Sequence, residues 1–110
     1  MSSEKVYQLE YLPAARYDMA EIVRYISRTL LNRQAAEALT ERFVSSAERV
    51  GENPYIVAVY YPVKPLSHDY RMVMVENYSM FYWVDELEKK VTITRVLYAR
   101  RNSFSNLDIH

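Results

Sequence analysis

The hydrophobic pattern is most regular between Tyr70 and Arg101, YRMVMVENYSMFYWVDELEKKVTITRVLYARR. Met72 to Glu76 alternates, with Val73 and Val75 on one face and Met72 and Met74 on the other. Glu76-Asn77 interrupts, and asparagine tolerates the left-handed backbone of a tight hairpin. Tyr78 to Val84 follows as Y-S-M-F-Y-W-V, rich in the aromatics that suit a pleated surface. Asp85 to Lys90 reads as a charged turn, and Val91 to Tyr98 is β-branched at nearly every position. Together these predict three antiparallel strands in a meander.

The preceding residues change period. Lys5 to Tyr11 alternates as a first strand. From Ala14 to about Leu31, Ala15, Met19, Ile22, Val23, Ile26 and Leu30 recur at helical spacing. Arg16, Asp18, Glu21, Arg24 and Arg28 occupy the other face. Pro13 suits a first helical position, although Leu12 offers no capping oxygen. Asn32 is an N-cap candidate for a second helix, Arg33 to about Val50, with Ala36, Leu39, Phe43, Ala47 and Val50 as its stripe. So short a joint folds the two helices into an antiparallel hairpin. Gly51 is placed to supply a left-handed C-terminal residue, and Pro54 stops the helix. Tyr55 to Pro65 is apolar and bracketed by prolines, an extended crossing segment with a short strand possible at Ile56 to Tyr60. The predicted class is α+β: a small antiparallel sheet in the order strand, helix, helix, strand, strand, strand. The helical hairpin covers one sheet face and leaves the other for a ligand or partner.

Composition narrows the function. The chain has 110 residues, one domain spanning 1–110, with formal net charge 0. Nucleic-acid binding would therefore need a local basic patch. There is no cysteine, and two histidines, His68 and His110, are too few for a metal site. Neither a metal nor a cofactor is expected. One glycine excludes a glycine-rich phosphate loop. No apolar run reaches the about 18 residues of a membrane span, and no leader precedes the first strand, so a soluble cytoplasmic protein is expected. Asp85, Glu86 and Glu88 read as a solvated hairpin tip, because a general acid or base needs a pocket.

The basic set is the strongest chemical candidate. Arg71 opens the second strand, Arg95 lies inside the last, and Arg100 and Arg101 follow its end near Tyr70, Tyr78 and Tyr98. Guanidinium groups beside stackable aromatics suit phosphate and base, and arginines offset charge in a cleavage transition state. Arg71, Arg100 and Tyr98 form the candidate catalytic set; Arg95, Arg101, Tyr70 and Tyr78 form the candidate target-binding or nucleic-acid-binding set. Taken alone, Arg95 reads as a mid-strand residue reaching the rim, and the structural alternative for the whole set is pairing with Asp85, Glu76 or a partner's carboxylates.

Asn77 to Glu86, N-Y-S-M-F-Y-W-V-D-E, followed by Val91 to Asn102, V-T-I-T-R-V-L-Y-A-R-R-N, resembles the RelE/ParE superfamily of type II toxin–antitoxin toxins. Ala99 stands where the family usually has glycine. Leu9 to Ile26, L-x-Y-x-P-A-A-R-x-D-x-x-E-I-V-x-Y-I, resembles the family's first strand and helix. The resemblance covers nearly the whole chain. It implies a small cytoplasmic bacterial toxin, neutralised in a hetero-oligomer by a cognate antitoxin that lies on the sheet face or the helical hairpin as an amphipathic helix or added strand.

The superfamily divides by target, DNA gyrase for ParE-like members and mRNA on the ribosome for RelE-like ones. Against the RelE-like ribonucleases, Arg71 and Arg100 match basic positions. Val73 and Ser79 replace basic residues, and Asn106-Leu107 stands where a tyrosine is usual. Metal-free RNA cleavage must deprotonate a 2′-hydroxyl and protonate the leaving oxygen. Only Tyr98 or His68 remains for that. A ParE-like toxin acting on gyrase or an unassigned target is therefore expected ahead of an mRNA endoribonuclease; a toxin surviving only as an antitoxin-binding, DNA-autoregulating partner is the third alternative.

Overall fold

A computed structural model describes residues 6–59 and 69–99. Strand β1 (Gln8–Tyr11) leads into helix α1 (Pro13–Arg24), a π-helical turn (Tyr25–Thr29) and helix α2 (Arg33–Glu52). Strands β2 (Arg71–Val75), β3 (Tyr78–Asp85) and β4 (Lys90–Tyr98) complete the order. The sheet runs β1-β4-β3-β2. The meander is antiparallel as its period predicts, but β1 pairs with β4 in parallel, Gln8 opposite Lys90 and Tyr11 opposite Ile93. The expected antiparallel sheet is thus a mixed one. A strand that returns to its sheet through two helices arrives by a crossover, and only a crossover joins parallel neighbours.

Local signals account for most element ends. Pro13 starts α1, and Leu12 makes no side-chain cap. Asn32 caps α2, its Oδ1 accepting from Ala35 N at 3.0 Å. The first helix, expected to run to Leu31, instead widens at Tyr25, where Leu30 N donates to Tyr25 O at 3.1 Å. Leu31 then takes the left-handed conformation at φ 53, with its side chain 83% exposed. Between β2 and β3 it is Glu76, at φ 56, that takes the left-handed backbone expected of asparagine. Of the strand possible at Ile56 to Tyr60, a single bridge, Val59 to Arg71, is formed among the described residues.

Gly51 departs from expectation. It lies inside α2, buried and without positive φ. Pro54 disfavours helical backbone at the residue before it, and Asn53 accordingly leaves the helix at φ −141.

The core lies between the helical hairpin and the sheet. Ala15, Leu39, Phe43, Ala47 and Val50 meet Val75, Met80, Tyr82, Val91, Ile93 and Val96. The opposite sheet face, where apolar positions predict only a partly open surface, carries a second, smaller cluster. Tyr70, Phe81 and Leu97 are buried there, with Met72 and Trp83 packed against them. Phe81 and Trp83, at alternate positions of β3, make that face apolar too.

A Cβ on Gly51 would sit 3.6 Å from Leu9 Cβ, an ordinary contact. Gly51→Ala should therefore raise stability by about 0.5–1 kcal/mol through helix propensity alone. Urea unfolding should show a higher midpoint at unchanged slope; a lower midpoint would mean that β1 and α2 need the closer approach.

Candidate functional site

Arg95 is engaged inside the fold. Its guanidinium donates from Nε to Asp18 Oδ2 at 2.7 Å and from Nη2 to Asp18 Oδ1 at 2.9 Å. Asp18 comes from α1, from the helix face that the sequence marks as polar. The same carboxylate accepts from Val96 N at 3.0 Å. β1 reaches only Ile93 on this side of β4, so Asp18 takes over where the neighbouring strand ends. A β-bulge beside this point places Phe81 opposite Arg95 and Tyr82 opposite Ile93, leaving Thr94 extra. Thr94 donates its hydroxyl to Phe81 O at 3.2 Å. The bidentate carboxylate holds the charged guanidinium form, raising the Arg95 pKa above its usual value. The carboxylates considered from sequence, Asp85 and Glu76, are used elsewhere: Glu76 pairs with Arg42 at 3.1 Å, and Asp85 accepts from Glu88 N at 3.0 Å.

Arg71 lies at the start of β2, half-buried. Its Nη1 donates to Val57 O, and its guanidinium sits 4.8 Å from the centre of the Tyr55 ring. Tyr55 belongs to a hub around Glu86 in the β3–β4 turn. The Tyr55 hydroxyl and the Tyr7 hydroxyl, the latter at 2.5 Å, both donate to Glu86 Oε2. Lys89 Nζ donates to Oε1 at 2.7 Å. These donors, Lys89 first and then Tyr55 and Tyr7, bring the Glu86 carboxyl down to about 2. The tip expected to be merely solvated is thus a joint for the chain before β1, the segment after α2 and the turn. Arg71 enters it through Tyr55.

Tyr78 and Tyr98 lie at the other end of the meander. They pair across β3 and β4, their rings 5.8 Å apart, and Tyr78 also meets Phe43 at 5.9 Å. Burial, followed by the field of Tyr98, Glu76 and Tyr25, raises the Tyr78 pKa. Tyr70 is on the face away from the helices, 5.5 Å from Trp83. Arg71 is registered with Tyr82 and Tyr98 with Tyr78. Four strand residues, about 13 Å at strand rise, separate the two positions along β3. The structure therefore brings Tyr78 and Tyr98 together and keeps Arg71 apart from them. Arg100, Arg101, His68 and His110 lie outside the described residues. Asp18, Glu86, Tyr7 and Tyr55 were missed as organising residues, because their partners are remote in the chain. Among the described residues no group of three or more histidines and carboxylates comes together, and no helix is long and apolar enough to cross a membrane.

A cavity of about 770 Å³ opens beside the ion pair, lined by Asp18, Glu21, Tyr25, Asn77, Tyr78 and Tyr98 among others. A second, of about 510 Å³, is a groove between α1 and α2. Met19, Ala20 and Val23 line one wall, Thr40, Phe43 and Val44 the other, with Tyr11 and Arg16 at one end.

Two measurements test this geometry. Asp18→Ala should cost about 3 kcal/mol in urea unfolding, since it removes both arms of the ion pair and the acceptor of the Val96 amide; a loss under 1 kcal/mol would reduce the pair to a surface contact. The folded-state pKa of Glu86 is depressed, so its stabilisation is present above the ordinary carboxylate value near 4.5 and is lost as pH falls towards 2. The thermal midpoint should fall between pH 5 and 2, and Glu86→Gln should make that fall shallower.

No curated protein sequence matches this chain. The fold is shared with solved toxin structures. The chain from the chromosomal ParDE system of P. aeruginosa superposes with a TM-score of 0.70 at 16% identity, over 88% of this chain and 100% of that one. The archaeal RelE–RelB complex from Pyrococcus horikoshii gives 0.58 at 14% identity, over 87% and 98%. The toxin–antitoxin complex RelBE2 from Mycobacterium tuberculosis gives 0.56 at 19%, over 84% and 96%. Residues 9–103 match the family described as the ParE toxin of the type II toxin–antitoxin system parDE. That match takes in β1, both helices and the whole meander, and the chain belongs to the ParE toxin family of type II toxin–antitoxin systems.

Proposed function

We propose that this toxin arrests bacterial growth in the cytoplasm without cutting RNA, by acting on DNA gyrase or another protein target, and that a cognate antitoxin neutralises it. The separation of Arg71 from Tyr98 supports this reading best. Metal-free cleavage needs phosphate-holding and proton-moving groups around a single phosphate. Arg71 is committed to Tyr55 and the Val57 carbonyl at one end of the sheet, and the Tyr98 hydroxyl is at the other. The match of residues 9–103 to the ParE toxin family supports the same reading. Growth arrest is then a matter of surface recognition. Tyr78, Tyr98 and Arg101 are the residues proposed to contact the target, with Arg95 beside them in the same cavity, and Tyr70 is proposed as a separate contact on the opposite sheet face. The runner-up, an mRNA endoribonuclease using Arg71, Arg100 and Tyr98, remains the enzymatic alternative.

Controlled expression of the chain, with growth scored and mRNA ends mapped on ribosomes, decides between the two. Arrest without codon-phased cuts is expected, together with inhibition of supercoiling by purified gyrase if gyrase is the target. Tyr98→Phe keeps the ring and removes the hydroxyl. It should leave arrest unchanged, whereas a tyrosine that moves a proton would cost about 100-fold or more in cleavage. Codon-phased cuts lost in Tyr98→Phe would overturn the proposal in favour of the ribonuclease.

A further inference from the structure

The joint between α1 and α2 ends in a strained apolar tip. Leu30 N donates to Tyr25 O at 3.1 Å across the π-helical turn, and Asn32 N donates to Ile26 O at 3.1 Å. This closure needs left-handed backbone at the residue between Leu30 and Asn32, a position that commonly holds glycine. Here it holds Leu31, at φ 53. A leucine in that conformation crowds its Cβ against the following carbonyl oxygen. Burial does not offset the strain, because the side chain is 83% exposed, and Leu30 beside it is 55% exposed. Two neighbouring apolar side chains therefore stand in solvent, one of them against its backbone preference. A local rule broken without compensation inside the fold marks a residue kept for use.

The charge around the tip has one sign. Between Glu21 and Glu37 the chain carries Arg24, Arg28 and Arg33 and no carboxylate, in a protein of formal net charge 0. Arg24 pairs with Glu21. Arg28 and Arg33 are exposed, and neither has an ion-pair partner among the described residues. The tip is also continuous with the tyrosine surface. α1 follows β4 towards its end: Leu12 N donates to Ile93 O, Asp18 holds Arg95, and Tyr25 shares the larger cavity with Tyr78 and Tyr98. Leu30 lies one widened turn beyond Tyr25, which is itself exposed.

We infer that Leu30 and Leu31 form a knob that enters an apolar pocket on the toxin's protein target, and that Arg28 and Arg33 meet carboxylates on the rim of that pocket. This rests on the function proposed above and adds a contact to those of Tyr78 and Tyr98. Apolar side chains desolvated inside a charged ring give affinity at the centre and orientation at the rim. The left-handed closure holds the leucines out before contact, so little order is lost on binding. Two leucines fall well short of the apolar area that keeps a chain on a membrane, which favours a protein pocket.

The test separates stability from arrest. Leu31→Gly removes the side chain and suits the left-handed backbone. The urea midpoint of the purified full-length chain should rise. In the expressing host, with chain levels read by immunoblot, half-maximal growth arrest should need about 10-fold more of the variant. Arg28→Glu with Arg33→Glu should weaken arrest at an unchanged midpoint. Leu87→Ser, at a side chain 96% exposed in the β3–β4 turn, should leave arrest as it is. A Leu31→Gly chain that arrests growth as well as the unaltered one would overturn the inference, as would equal weakening in Leu87→Ser. A lower midpoint would place Leu31 in the fold and overturn it too. So would a dimer that Leu31→Gly converts to a monomer, or binding to phosphatidylglycerol vesicles that Leu31→Gly abolishes, which would assign the tip to a second copy or to a membrane surface. The two readings fail separately. An unaltered chain that does not arrest growth, or arrests it with codon-phased cuts, sinks the protein-target reading and the knob with it. Arrest without cuts, matched by Leu31→Gly, sinks the knob alone.

Discussion

Asp18 carries the constraint on which the arrangement of helix and sheet depends. One carboxylate holds both arms of the Arg95 fork and the Val96 amide. It therefore fixes α1 over β4 at the point where β1 has stopped pairing. A half-buried ion pair is costly to break, and an open strand edge invites pairing with another chain. The same group answers both demands. The neighbouring bulge turns β4 at this place, and Thr94 satisfies the Phe81 carbonyl that the extra residue displaces. The side of β4 beyond Ile93 is thereby made a helix-covered edge.

The two ends of the sheet are built differently, and the difference bears on function. At the turn end, Glu86 gathers Tyr7, Tyr55 and Lys89, with Arg71 stacked behind Tyr55. These hydrogen bonds bridge segments otherwise joined only by long connections, so the aromatic and basic residues there act as fasteners. At the opposite end, Tyr98 is partly exposed over Tyr78 and Phe43, on a floor that α2 supplies. A residue fastened into the fold is poorly placed to follow a substrate through a reaction. A supported, partly exposed aromatic is well placed to meet another protein, because little side-chain freedom is lost on contact.

Period and punctuation made the fold legible. Alternation marked β2 to β4, the 3.6-residue recurrence marked both helices, and Pro13, Asn32 and Pro54 marked their ends. The combination was specific enough to suggest the family before any tertiary contact was known. Where expectation failed, a longer-range effect prevailed. Gly51 reads as a cap from its neighbours, but α2 runs through it to Glu52 and is left at Asn53, before Pro54. Asn77 reads as the left-handed residue, yet register with β3 puts Glu76 there. The sheet face away from the helices reads as partly open, left for a ligand or partner, and there Phe81 and Leu97 are buried beneath Tyr70 and Trp83.

The candidate site was legible as residue types but not as geometry. The sequence by itself determined that arginines and tyrosines crowd the ends of three strands, that no thiolate set exists, and that two amphipathic helices cover one sheet face. These follow from side-chain chemistry and from spacing within a dozen residues. Only the tertiary structure decided that Arg95 belongs to Asp18, that Arg71 belongs to Tyr55, and that Tyr98 stands apart from both. Register and crossover set those pairings, and they join residues up to 77 positions apart, a separation across which no local period carries information.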